Sequence, residues 1–211
     1  RREKRGIPIW LMVLGVASAF GVALYRLADV PNSLWGDEGA FWRLARDLAG
    51  GVRANPFDLG VYAAFPVISS LYHSAWIKVF GPTLWSWRLG SVLVGTLTIV
   101  PLFFLTRKLL GTRVAWSAVV LMVTMPYFLA YARIGFNVIQ PSLPITLALW
   151  LLIEAVHRHS RLLAYLAGVA SGIASLTYMS GYLGLVLAVL VWLFLFMSQW
   201  PLRRLLVRLL L

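Results

Sequence analysis

The sequence predicts an all-α protein: a polytopic membrane helix bundle with interfacial, juxtamembrane helices on its external side. Three observations lead there. Of 211 residues, 61% are hydrophobic and only 12% charged, with a mean hydropathy of +0.83, a balance that soluble domains do not reach. The apolar residues come in runs long enough, or nearly so, to cross a hydrocarbon core of about 30 Å. Lys and Arg outnumber Asp and Glu 19 to 7, and they fall in short clusters between the apolar runs, where they act as topology signals. The net charge of +12 is therefore not read as a nucleic-acid surface. The absence of cysteine excludes a disulfide framework and thiolate metal sites. His73, His157 and His159 show no metal-ligand spacing supported by carboxylates.

Taken in order, the basic flank of residues 1–5 precedes an apolar run at 7–27, an expected first span and signal anchor. Further spans are expected near 89–106, 114–132, 141–156, 162–178 and 182–198. Pro101, Pro126 and Pro144 are expected to kink them. Ala164, Gly168, Gly172 and Ser175 recur at spacings of four and three, a stripe of small residues expected to let a neighbouring helix approach closely.

The ambiguous piece is 65–80, FPVISSLYHSAWIKVF, apolar but short and carrying His73 and Lys78. If it lies in the interface there are six spans, and one side of the membrane holds 12 of the 19 basic residues against 7 on the other. If it crosses, the middle loops swap sides and the asymmetry nearly vanishes. The positive-inside rule favours the interfacial reading, with the N-terminus cytoplasmic and 29–88 forming one external loop. The whole of 1–211 then reads as a single transmembrane module.

That loop contains residues 33–48, SLWGDEGAFWRLARDL, where two adjacent carboxylates sit at the mouth of apolar segments. A helix opening at Gly36 or Asp37 would place Leu34, Glu38, Phe41, Ala45 and Leu48 on one face, and Arg43, Arg46 and Asp47 on the other. Asp37 has two readings, an N-cap for that helix or a reactive carboxylate. The next external turn, 131–141, brings Tyr131, Arg133, Asn137 and Gln140 to the same surface, and the third brings Tyr178 and Tyr182. Arg133 has the alternative of snorkelling to headgroups, and Asn137 and Gln140 that of hydrogen-bonding between helices. Polar groups clustered on one surface, and not strung through the bilayer, argue against a channel. No internal repeat points to a transporter.

The pattern W-x-D-E-x-x-F, here Trp35, Asp37, Glu38 and Phe41, following a first span resembles the first external loop of the GT-C glycosyltransferases. The likeness is nearest to the branch of protein O-mannosyltransferases and the aminoarabinose transferase of lipid A. Residues 79–100, 105–116 and 131–152 resemble that branch in the same order. Two features differ: Asn137 stands near a position where some relatives carry an acid, and no Lys-Pro-Pro element surrounds Pro66. The resemblance implies a GT-C-like fold and a carboxy-terminal part beyond this segment. It implies transfer of a sugar from a polyprenyl-phosphate carrier to a hydroxyl acceptor, with inversion, on the external or periplasmic face of the cell membrane. Asp37 matches the family's catalytic acid, with Glu38 beside it. Arg133 and Arg88 are the first and second candidates to meet the lipid phosphate, with Asn137, Gln140, Tyr131, Tyr178 and Tyr182 as further substrate contacts. No cofactor is required by this chemistry; a divalent metal is compatible with it but nothing indicates one. The alternative is a non-catalytic GT-C-like subunit packed among other membrane subunits.

Overall fold

The computed structural model describes residues 9–34 and 36–199. The basic ends at 1–5 and 203–208, and Trp35, lie outside them. Nine α-helices follow in order among the described residues: α1 (Ile9–Leu24), α2 (Glu38–Ala49), α3 (Val67–Phe80), α4 (Leu84–Leu110), α5 (Thr112–Thr124), α6 (Pro126–Arg133), α7 (Ser142–Arg158), α8 (Arg161–Ser175) and α9 (Ser180–Gln199). The protein is an all-α membrane bundle, and the described residues include no strand beyond an isolated bridge between Leu59 and Pro66.

The long central helix is α4. It opens with a capping box in which Thr83 and Ser86 satisfy each other's backbone amides, and it packs against α1, α3, α5, α6 and α7. By length and hydropathy α4 and the segment Asn137–Arg158 can each cross a membrane, and α5 with α6, bent by 60° at their break, is apolar enough as a pair for a broken span or a re-entrant loop. The expected spans at 7–27, 162–178 and 182–198 fall on α1, α8 and α9, shorter apolar helices.

The prolines fall at different places in their helices, and one expectation about packing, the α8 stripe, changes on inspection. Of the three prolines, only Pro126 breaks a helix: it takes the first position of α6 after Met125 turns extended, where a missing N–H costs nothing. Pro101 sits within an unbroken α4, and Pro144 sits in the first turn of α7, where its amide would be unpaired anyway. The small-residue stripe of α8 is not its packed face. The residues buried there are Ala167, Ala170, Ser171 and Ala174, while Gly168 and Gly172 meet open space. Close approach comes instead from α9, where a Cβ at Gly181 would overlap the Ala174 carbonyl and one at Gly184 would overlap Ile145.

Between α1 and α4 lie the two shorter helices. Helix α2 buries Glu38, Phe41 and Ala45 and exposes Arg43, Arg46 and Asp47, the amphipathic division that its spacing predicts. Helix α3 has 14 residues, about 21 Å at 1.5 Å per residue, and packs against α2 and α4. Phe41, Phe65, Ile77 and Trp87 form the core beneath this region.

Candidate functional site

Asp37 and Glu38 are neighbours in the chain with opposite environments. Glu38 is fully buried. Its Oε1 accepts hydrogen bonds from Trp87 Nε1 at 3.0 Å, Arg88 Nε at 3.2 Å and the Gly135 amide at 2.8 Å. Three donors on one oxygen, two from α4 and one from the segment after α6, fix the start of α2 to both. A Cβ at Gly135 would overlap the Trp87 indole, so the residue must be glycine for its amide to reach the carboxylate. Arg88 is fully buried as well. Besides Glu38, it donates to the carbonyls of Leu27 at 3.0 Å, Pro31 at 2.6 Å and Ser33 at 2.8 Å. The pair is thus hydrogen-bonded on all sides, the condition under which two buried charges are tolerated. It gathers the end of α1, the entry to α2, and α4.

The network continues through His73. Its Nδ1 lies 2.9 Å from the Trp87 carbonyl, and its ring centroid is 4.3 Å from that of Trp87. Burial pushes the imidazole pKa down to about 4, so the ring is neutral and Nδ1 carries the proton it donates.

Asp37 is exposed. It occupies the N-cap position of α2, yet its side chain makes no bond to the helix amides, which removes the capping reading. Its Oδ1 instead accepts a hydrogen bond at 3.0 Å from the Tyr62 hydroxyl, 25 residues along the chain. Tyr62 has φ 55° and ψ 20°, a left-handed conformation that a bulky residue rarely adopts without a reason. The surrounding backbone holds it there: the Gly60 amide donates to the Phe65 carbonyl at 2.7 Å, and the Val67 amide to the Asp58 carbonyl at 2.9 Å. The carboxylate it faces raises the Tyr62 pKa above 10, which keeps the phenol protonated as a donor. Tyr62 was missed in the sequence because neither its turn nor its partner has a local signature.

Three loops converge here through aromatic contacts. Phe41 packs on Phe65 and Phe136, each with centroids 5.2 Å apart, and Tyr178 stacks on Phe65 at 5.1 Å and meets Phe136 edge-on at 5.7 Å. The Tyr178 pKa is raised, first by burial and further by the negative charge of the Asp37 carboxylate. Tyr178 therefore lies within electrostatic reach of Asp37. Tyr182 is exposed in the first turn of α9.

The remaining expected residues make their hydrogen bonds to groups other than Asp37. Arg133 donates to the carbonyls of Val22 at 3.3 Å, Tyr25 at 2.7 Å and Val30 at 3.3 Å. It also lines a groove of about 750 Å3 between Val30 and Pro31 on one side and Tyr127, Ala130 and Tyr131 of α6 on the other. Asn137 and Gln140 are buried against α3: Asn137 donates to the Ser69 hydroxyl, and Gln140 to the Ser69 carbonyl at 2.9 Å. Theirs is the contact between helices that the sequence left open. Among the described residues, no three His, Asp or Glu side chains are grouped to hold a metal ion.

The fold and the site together define a polytopic helical membrane protein with one exposed, phenol-held carboxylate where its loops meet. The chain belongs to the dolichyl-phosphate-mannose-protein mannosyltransferase family, whose model matches residues 66–210, and so to the GT-C-like glycosyltransferases. The matched region contains α3 to α9 and begins after Asp37 and Glu38. No curated protein and no solved structure matches the chain.

Proposed function

We propose that this protein transfers a hexosyl or pentosyl group from a polyprenyl-phosphate carrier to a hydroxyl acceptor, with inversion, on the external face of the cell membrane. Asp37 is the general base. It takes the acceptor's proton as the acceptor oxygen attacks the anomeric carbon; the bond from that carbon to the phosphate oxygen breaks, and polyprenyl phosphate departs. A base of this kind must lie within hydrogen-bond reach of the hydroxyl, and the departing phosphate needs cationic stabilisation. Arg133 fits the second need, since Nε and one hydrogen of its terminal nitrogens have no partner among the described residues and its groove is otherwise apolar enough for a prenyl chain. Glu38 and Arg88, buried against each other, hold the scaffold. The orientation rests on the excess of basic residues assigned to the opposite side of the membrane.

The observation that carries this reading is the exposed Asp37 carboxylate, relieved of any capping duty and held by Tyr62. Asp37→Asn in the full-length protein tests it. The amide keeps an oxygen to accept from Tyr62 but loses its basicity, and removal of a general base costs about a hundredfold to ten-thousandfold in rate. With dolichyl-phosphate mannose as probe donor, transfer is expected to collapse while donor binding and thermal stability are kept. Wild-type transfer by the variant refutes the assignment of Asp37 as the base, and absence of transfer by the unaltered protein returns the non-catalytic subunit reading.

A further inference from the structure

At the far end of α4 from Glu38, a second polar site opens between α4, α5 and α7. It is a cavity of about 650 Å3 bounded by Phe104, Arg107 and Lys108 of α4, Thr112 at the start of α5, and Trp150, Glu154, His157 and Arg158 of α7. Twenty residues of α4 separate Arg88 from Lys108, a rise of about 30 Å, the thickness of a hydrocarbon core. The cavity therefore lies at the membrane face opposite Asp37, and no step of the proposed transfer uses it.

Its chemistry is ordered. Glu154 accepts from Lys108 Nζ at 3.2 Å through one oxygen and from Arg158 Nε at 2.7 Å through the other, so one carboxylate points two cations toward the same opening. Arg107 adds a third cation with no ion pair among the described residues, which leaves the lining positive even with His157 neutral. Along the other wall, Phe104 and Trp150 stack with centroids 5.0 Å apart and an interplanar angle of 16°. A cationic mouth continuous with a flat apolar wall matches an amphiphile that carries a phosphate at the end of a hydrocarbon chain. A free anion would use the first feature and leave the second idle.

We infer that this cavity binds the phosphodiester headgroup of an anionic membrane phospholipid, with its first acyl carbons against Phe104 and Trp150. Basic pockets between membrane helices at one bilayer face recognise such headgroups, each nearby cation contributing comparably. Arg107 is the residue to change, because its loss leaves the Lys108–Glu154–Arg158 bonds in place.

Native mass spectrometry of the full-length protein in mild detergent, titrated with phosphatidylglycerol or phosphatidylcholine, tests the inference. Phosphatidylglycerol adducts are expected to persist at activation energies that strip phosphatidylcholine. Arg107→Gln is expected to weaken the phosphatidylglycerol adduct about fivefold, Arg107→Lys to retain it, and Arg53→Gln, on the Asp37 side, to leave it unchanged. Equal retention of the two lipids, or indifference to Arg107→Gln, overturns the inference. So does saturable binding of inorganic pyrophosphate that phosphatidylglycerol does not displace, since the cavity would then serve a soluble phosphate.

Discussion

Replacing Arg88 by Met asks how much of this fold hangs on one buried ion pair. The substitution removes the 3.2 Å bond to Glu38 and three bonds to the carbonyls of Leu27, Pro31 and Ser33. Both side chains of the pair are 0% exposed, so water cannot replace the lost partner without opening the core. Breaking such a pair from one side costs about 3–5 kcal/mol, most of it the penalty of the uncompensated charge that remains. Glu38→Gln removes that charge while its oxygen still accepts from Trp87 and Gly135, and is expected to cost about 2–3 kcal/mol by stranding Arg88 instead. The double variant should then be less destabilised than the sum of the two, by about 1–3 kcal/mol of coupling. The assay is thermal unfolding of the four proteins in one detergent, followed by intrinsic tryptophan fluorescence. Additive losses, or an Arg88→Met variant within about 0.5 kcal/mol of wild type, the range of an ordinary surface substitution, would refute the claim that these charges hold the site together.

Three further outcomes are expected. Tyr62→Phe removes the one side-chain hydrogen bond that Asp37 makes among the described residues; its kcat for transfer should fall roughly fivefold to tenfold, the worth of about one hydrogen bond, with donor KM and melting temperature unchanged. A loss of stability instead would make the residue structural. His73 is neutral in the fold with a pKa of about 4, against about 6.5 when unfolded. Its contribution is fully present above pH 6.5 and is lost as pH falls toward 4, where the unfolded chain takes up a proton that the folded one refuses, a drop of about 3 kcal/mol. The pH dependence of unfolding should flatten over that window in His73→Leu, and an unaltered slope would discount the buried imidazole. For topology, the chain has no cysteine, so an impermeant maleimide applied to intact cells should label Arg53→Cys and spare Thr112→Cys; labelling of Thr112→Cys would invert the orientation.

Patterns that repeat along one helix were legible, and contacts made across the chain were not. The faces of α2 followed from spacing alone, because a helix of 12 residues must put apolar side chains every three or four positions toward whatever it packs on. The fold class followed from composition. The carboxylate pair was found by its charge in an apolar setting, but sequence could not say which of the two was sealed: Glu38 is buried by Trp87, Arg88 and Gly135, all at least 49 residues away. The same long range hid Tyr62. The α8 stripe misled for a related reason, since small residues permit close packing on either side of a helix and only the position of α7 and α9 decides which side is used.

The bond between residues 37 and 38 joins a fixed point to a working one. Glu38 is clamped by donors from α4 and from the segment beyond α6, and the next Cα toward the amino terminus lies only about 3.8 Å away. Asp37 can therefore swing by its own torsions but cannot translate, and Gly36 before it, at φ 53°, supplies the slack on the other side. Whatever approaches must be brought to the carboxylate, because the carboxylate will not travel to meet it. An insertion between Asp37 and Glu38 would thus be far more damaging than the same insertion in the loop of residues 50–58, whose length only sets how freely Tyr62 is delivered to its partner.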